Sequence, residues 1–291
     1  LVAHRLAIVT AAATLLLIVV GGLVTNTGSA LAVPDWPTTF GHNMFLYPLS
    51  GMVGGVLYEH SHRLLGALVG LLTVILAVAL WRQGGTPRWL GVLATVAVIG
   101  QGVLGGLRVV LLKDTLAIVH GSFAQAFFAL LVAIAFMTSA AWRDARATTA
   151  LPGGLAVAAL AVIYVQIAFG ALLTHAGLLE LHLAGALAVY ALVPVLTARL
   201  RRSGDPVAEV GARALLALLA FQLVLGAGAL VARFVPGALP LPALGLVLPG
   251  AHRMVGSLIL ATVTVLALRC AAAGARPVAT ATLGQPAGVL R

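Results

Sequence analysis

Apolar residues run through this chain in long unbroken blocks, without the alternation of strands or the single stripe of soluble helices. Crossing a bilayer takes about 20 mostly apolar residues, and eight windows qualify: roughly 6–25, 62–81, 88–108, 116–138, 153–173, 180–199, 211–232 and 251–269. Breaker residues separate them, as in "QGGTP" at 83–87, "LPGG" at 151–154, "RRSGDP" at 201–206 and the Pro-rich 236–249. The longest connections are 26–58 and 233–250. The pattern predicts an all-α integral membrane protein with eight transmembrane helices, whose many Gly and Ala positions suit close helix packing in lipid. The Ala-, Gly- and Pro-rich end, 271–291, is expected to be disordered. The first window also has features of a signal peptide, since Arg5 precedes it and Ala30-Leu31-Ala32 fits a cleavage site. Its apolar stretch is longer than a usual signal core, and removing it would leave one helix unpaired, so a membrane span is the better reading.

Composition agrees. The chain has 291 residues, 62% hydrophobic and 8% charged, with mean hydropathy +1.12, whereas about a quarter of residues in soluble domains are charged. The net charge of +10 comes from basic residues scattered singly between apolar runs, so it marks topology and no nucleic-acid surface. With the N-terminus inside, twelve Lys and Arg fall inside, from Arg5 through Arg82, Arg88, Arg143, Arg146 and the 199–213 group to Arg269, Arg276 and Arg291. Five fall outside: Arg63, Arg108, Lys113, Arg233 and Arg253. That asymmetry puts both termini in the cytoplasm. The lone Cys270 excludes an intrachain disulfide, so any redox chemistry must come from a bound cofactor.

The blocks also repeat. Outward-running helices carry "QGVLGGL" (101–107), "QIAFGAL" (166–172) and "QLVLGAG" (222–228), while the first offers only "GGL" at 21–23. Each inward-running helix opens with histidine: "EHSHRLLGAL" (59–68), "VHGSFAQA" (119–126), "LHLAGALA" (181–188) and "AHRMVGSL" (251–258). The chain therefore reads as four helical hairpins, or two similar four-helix halves. Intramembrane polar side chains are costly and mark functional sites, and four at one repeated position point to ligands. Zinc would draw Cys or carboxylates into one cluster, but only Glu59 and Glu180 lie near any of these histidines in sequence, far apart along the chain. Heme iron takes axial imidazoles from two facing helices, so four histidines would serve two hemes.

Helical periodicity sorts the 59–63 cluster. At about 100° per residue, His62 and Arg63 each fall within about 60° of Glu59, on either side of it, and His60 lies about 160° from His62. His62 is expected to face inward and His60 the surface or a loop. Arg63 and Arg253 follow their histidines at the membrane boundary, where they either pair with heme propionates or snorkel to headgroups. His4, His42 and His175 are expected to be solvated. No HExxH, Ser-His-Asp order or phosphate loop is present. Two rival readings remain on these residues alone: a bis-histidine diheme electron carrier, and a transporter built from repeated hairpins.

"PDWP" (34–37), Glu59-x-x-His62-Arg63, "HGSFAQ" (120–125), "LHLAGA" (181–186) and "AHRMVG" (251–256), in this order and spacing, resemble the heme A synthase family. The resemblance runs from the first helix to the last. It implies two pseudo-symmetric four-helix bundles: residues 1–142 around the substrate heme O, and 151–270 around a heme b. It implies oxidation of the C8 methyl group of heme O to the formyl group of heme A, by successive hydroxylations and loss of water. His62 and His120 would face the substrate, His182 and His252 would be axial ligands of heme b, and Glu59 would be the catalytic group. Implied partners are heme O, the heme O synthase that supplies it, an electron donor and the bilayer, with room for a homo-oligomer. The implied location is a bacterial-type cell membrane with the heme sites toward the outer side. Many members flank PDWP with a cysteine pair; here Val33 and Thr39 stand in that loop, so electron transfer through a loop disulfide is not available to this chain.

Overall fold

The computed structural model describes residues 1–143, 151–235, 237–241 and 243–274. Its helices are α1 (Val2–Asn26), α2 (Gly55–Gln83), α3 (Gly85–Leu111), α4 (Asp114–Met137), the short α5 (Ala140–Arg143), α6 (Gly153–Ala176), α7 (Leu179–Leu200), α8 (Pro206–Phe234) and α9 (Leu244–Gly274). Eight of them are long and apolar enough to cross a membrane, and each coincides with one of the eight expected windows. The protein is a multi-pass helical membrane protein.

The helices outrun the apolar windows for identifiable reasons. Residues 59–63 fall inside α2 because their polar side chains find partners there instead of ending the helix. At the start of α8, Asp205 caps the helix by accepting from the Ala208 N–H at 2.9 Å, with Pro206 preset at the first position. Gly84 and Gly85, at φ 71° and 64°, take the left-handed backbone that turns α2 directly into α3. The Pro-rich loop is shorter than expected, since α9 starts at Leu244 and carries Pro249 within it. Helix α9 also continues past residue 270 to Gly274, so that part of the expected disordered end is helical; residues 275–291, with Arg276 and Arg291, and also Arg146, lie outside the described residues.

Buried apolar residues fall into two clusters. One is drawn from α1 to α4, around Leu76, Leu80, Leu131 and Ile134. The other is drawn from α6 to α9, around Leu196, Leu200, Leu215 and Leu266. Within each set every helix packs on its chain neighbour and the first packs on the last, so both sets close into rings with the same wiring. The two rings meet where α1 and α4 face α6 and α9. Tyr164 of α6 stitches this seam by donating to the Ser122 carbonyl of α4 at 3.2 Å.

The seam has a polar clamp on the side where α4 ends. Arg269 donates Nε and Nη2 to Asp205 Oδ2, at 3.0 and 2.7 Å, and Nη1 to the Ala141 carbonyl at 2.8 Å. Both members of the pair are buried. Burial raises the Asp205 pKa, but the Arg269 hydrogen bonds and the Ala208 N–H outweigh it and hold the carboxyl below its ordinary value. Because the folded-state pKa is depressed, the stability from Asp205 is complete above the ordinary carboxylate range and fades as pH falls through the folded value. Substituting Arg269→Met strands a buried carboxylate and should cost about 3–5 kcal/mol, read by thermal unfolding in detergent. The double variant Arg269→Met with Asp205→Asn should unfold closer to the parent than either single variant.

Candidate functional site

Each long hairpin brings one histidine onto one glycine. A Cβ added at Gly21 of α1 would lie 2.9 Å from His62 Cε1 on α2, and at Gly105 of α3, 3.2 Å from His120 Cε1 on α4. In the second ring, Gly170 of α6 meets His182 Cε1 at 3.4 Å and Gly226 of α8 meets His252 Cε1 at 3.0 Å. The same ring edge is presented in all four, with Nδ1 nearer the glycine than Nε2. Alanine at Gly21, Gly105 or Gly226 would crowd the imidazole, so the missing Cβ is what lets the ring edge approach the neighbouring helix there; at Gly170 the contact would be an ordinary one.

The glutamine of Q-x-x-x-G completes the seat one turn earlier. Gln101 Nε2 donates to the His120 carbonyl at 3.2 Å, and Gln166 Nε2 to the His182 carbonyl at 2.9 Å. Gln222 Nε2 lies 3.3 Å from His252 Nε2. In α1 the glutamine position is Leu17. Q-x-x-x-G is visible in the sequence as a repeat, but its partnership with the histidines appears only when the hairpins are folded.

The rings then pair across each half. His182 and His252 have ring centres 6.2 Å apart with planes at 69°. A metal bound between two imidazoles, with bonds of about 2 Å and ring centres about 1 Å beyond each nitrogen, spaces the rings by about 6 Å. The observed spacing fits. His62 and His120 lie within electrostatic range of each other in the first half. Nδ1 of His62, His120 and His252, and Nη1 of Arg253, are buried without a hydrogen-bond partner among the described residues. Such atoms cost about 1–3 kcal/mol each when left so, which again fits a site built for a polar or metal-bearing ligand. Among the described residues no three His, Cys, Asp or Glu side chains converge as a small-ion cluster would require.

The 59–63 cluster divides differently from the expectation. His62 faces α1, whereas Glu59, His60 and Arg63 all engage the 33–47 loop. Glu59, 4% exposed, accepts from Arg63 Nη2 at 2.8 Å and from the Val33 N–H at 2.9 Å. Arg63 also donates to the carbonyls of Val33 (3.0 Å), Asp35 (2.7 Å) and Thr38 (2.9 Å). His60 is no surface or loop histidine: it is 1% exposed, with Nδ1 3.1 Å from Thr39 Oγ1 and its ring centre 5.2 Å from that of Tyr47. Periodicity put it opposite His62 correctly, but the loop folds back and covers that face.

Two further expectations change. His4 lies within α1 and its Nδ1 is 2.9 Å from the Ala135 carbonyl, so it is a packing contact between α1 and α4. His175 belongs to the last turn of α6, half-buried, within electrostatic range of Arg108, Arg253 and Arg233. Arg253 reaches from α9 to α1, where its guanidinium occupies the notch at Gly22, next to the glycine that seats His62.

The loop is fastened at a second point that its sequence did not announce. A Cβ at Gly106 of α3 would overlap the indole of Trp36, so the tryptophan of PDWP is keyed into α3 beside the seat of His120. Asp35 organises the turn that follows, accepting from the N–H groups of Phe40 and Gly41 at 2.8 Å and from the Thr38 hydroxyl. Burial raises the Asp35 pKa, but these donors together outweigh it and bring the carboxyl to about 2.

A helical membrane protein whose hairpins each seat a half-buried histidine on a glycine is the class these features define. The family model described as cytochrome oxidase assembly protein matches residues 4–179, and the chain belongs to that family. It is also 34% identical over 145 residues to the heme A synthase of Shouchella clausii, covering 48% of this chain and 46% of that one. With the heme A synthase of Alkalihalophilus pseudofirmus it shares 32% identity over 151 residues, covering 50% and 48%. The chain thus spans about half the length of the curated relatives it matches. The family match ends before His182 and His252, so for those two residues the structural repeat carries the argument.

Gly106→Ala should expel Trp36 and speed amide exchange across residues 33–42 while leaving the helices protected, as read by hydrogen-exchange mass spectrometry. Because the folded pKa of Asp35 is depressed, its hold on the turn should be complete above its ordinary value of 3.8 and be lost as pH falls through about 2. Trp36 fluorescence in a variant lacking Trp81, Trp89 and Trp142 follows that transition, and Asp35→Asn should show the loosened state at neutral pH.

Proposed function

We propose that this protein converts heme O to heme A, oxidising the C8 methyl group to a formyl group, with a heme b resident in its C-terminal half. The observation that carries the reading is the fourfold seat of histidine on glycine, together with the 6.2 Å spacing of the His182 and His252 rings. His182 and His252 would be the axial ligands of the heme b, and His62 and His120 would hold the substrate. The family and the relatives named heme A synthase support the same reading. The bound heme b would supply redox equivalents to the reaction.

The chain's own residues have separable tasks. Gly21 and Gly105 let the two imidazoles of the substrate half approach α1 and α3 closely, with Nδ1 of each left without a hydrogen-bond partner among the described residues. Glu59 stands one turn before His62 on α2, and Arg63 with the Val33 N–H holds its carboxyl group oriented. That position suits a group that takes or returns a proton at the porphyrin edge. The loop keyed by Trp36 lies over the same half and keeps water from the site. Arg253, whose Nη1, unpartnered among the described residues, lies in the Gly22 notch of α1, is a propionate partner where the two halves meet. Arg63 is committed to the loop. The proposed setting is a bacterial cell membrane with the heme sites on the side of the 27–54 loop and an external electron donor.

Expression with a source of heme O, followed by pigment extraction, should yield heme A. Heme O recovered unchanged would instead indicate an electron carrier, and a protein without pigment would indicate a transporter. Glu59→Gln should retain pigment and lose conversion; full conversion by that variant would remove Glu59 from the reaction.

A further inference from the structure

The likeness between the two halves breaks at their arginines. Arg63 follows His62 as Arg253 follows His252, yet both terminal nitrogens of Arg63 are spent on Glu59 and on the carbonyls of Val33, Asp35 and Thr38. Arg253 keeps Nη1 without a partner among the described residues. A porphyrin held in the first half would therefore meet no available cation on α2, although its propionates are anionic.

Arg108 of α3 supplies one. It lies three residues past Gly105 and seven past Gln101, which at about 100° per residue places it within about 60° of the first and about 20° of the second. Those two residues make the seat of His120. Helical side chains lean toward the N-terminus of their helix, and α3 runs toward the loop side, so the Arg108 side chain leans back over the turn that carries the seat. It is half-buried. His62, His120 and Glu59 all lie within its electrostatic range, as does Asp114 at the start of α4. Its guanidinium makes no ion pair among the described residues.

We infer that Arg108 is the anion anchor of the N-terminal half, binding a propionate of the substrate heme while Arg63 holds the loop. The inference rests on the reading that this half takes heme O. The planar guanidinium gives a carboxylate two parallel charge-assisted hydrogen bonds, a geometry that also fixes which porphyrin edge enters first. Arg108 is thus a binding and orienting residue.

The test uses the purified protein with its resident pigment, titrated with heme O and with heme O methylated on both propionates, and read by the absorbance change of the added heme. The parent protein should bind the free acid about tenfold or more tightly than the diester, as expected for a charge-assisted contact. Arg108→Gln should lower free-acid affinity to that of the diester and leave diester affinity unchanged. Equal binding of the two forms by the parent protein, which needs no variant, would overturn the inference, as would an undiminished preference in Arg108→Gln. Heme O binding that survives His62→Ala combined with His120→Ala would overturn the underlying reading of this half, and the role of Arg108 with it.

Discussion

Everything in the membrane-embedded part of this protein depends on helices approaching closely enough for an imidazole to lie on a bare backbone. In lipid there is little hydrophobic drive between helices, so contact relies on packing, and glycine permits the closest approach. Gly21, Gly105, Gly170 and Gly226 each use that freedom for a histidine instead of for another backbone. The result is a polar ring held at a defined height against the supporting helix. Because the same device occurs in all four hairpins, two histidines in each ring of helices come near one another, and in the second ring His182 and His252 pair directly.

A second dependence runs through Arg63. An arginine at the membrane boundary has enough donors to organise a segment that has no regular structure of its own, and here it gathers three loop carbonyls and a carboxylate. Glu59 answers by accepting from the loop backbone, and His60 meets Thr39. Trp36 fixes the far side of the same loop on α3. The crowd of ionisable residues at the start of α2 thus serves two neighbours: His62 belongs to the interior of the helix ring, and the others belong to the loop that covers it. On the opposite side of the membrane, Asp205 and Arg269 close the seam between the rings by the same logic of a buried and fully engaged ion pair.

Much of this was legible in the chain, because hydropathy, breaker residues and the recurrence of histidine are local signals. All eight spans sit where the apolar windows place them, and the repeat pointed to His62, His120, His182 and His252 as one set. What the sequence did not reveal was decided by contacts between distant segments. Periodicity separated His60 from His62, but nothing local says that a loop 21 residues earlier returns to bury it. Trp36 stands in a recognisable motif, yet its socket at Gly106 is 70 residues away and looks like any packing glycine. Arg108 passed as one more boundary charge until its neighbours on α3 were seen to form the seat of His120. Helix ends were drawn short wherever a polar residue that has a partner in the fold was taken to be a terminus.

The central claim is that glycine-seated histidines hold iron porphyrin, and that His182 and His252 form the tight pair. Electron paramagnetic resonance of the oxidised, purified protein tests it most directly. The account predicts a low-spin signal from an iron carrying two imidazoles, lost in His182→Ala and in His252→Ala. A low-spin signal that persists through both substitutions, or a parent protein whose only tightly held heme is high-spin, would contradict it.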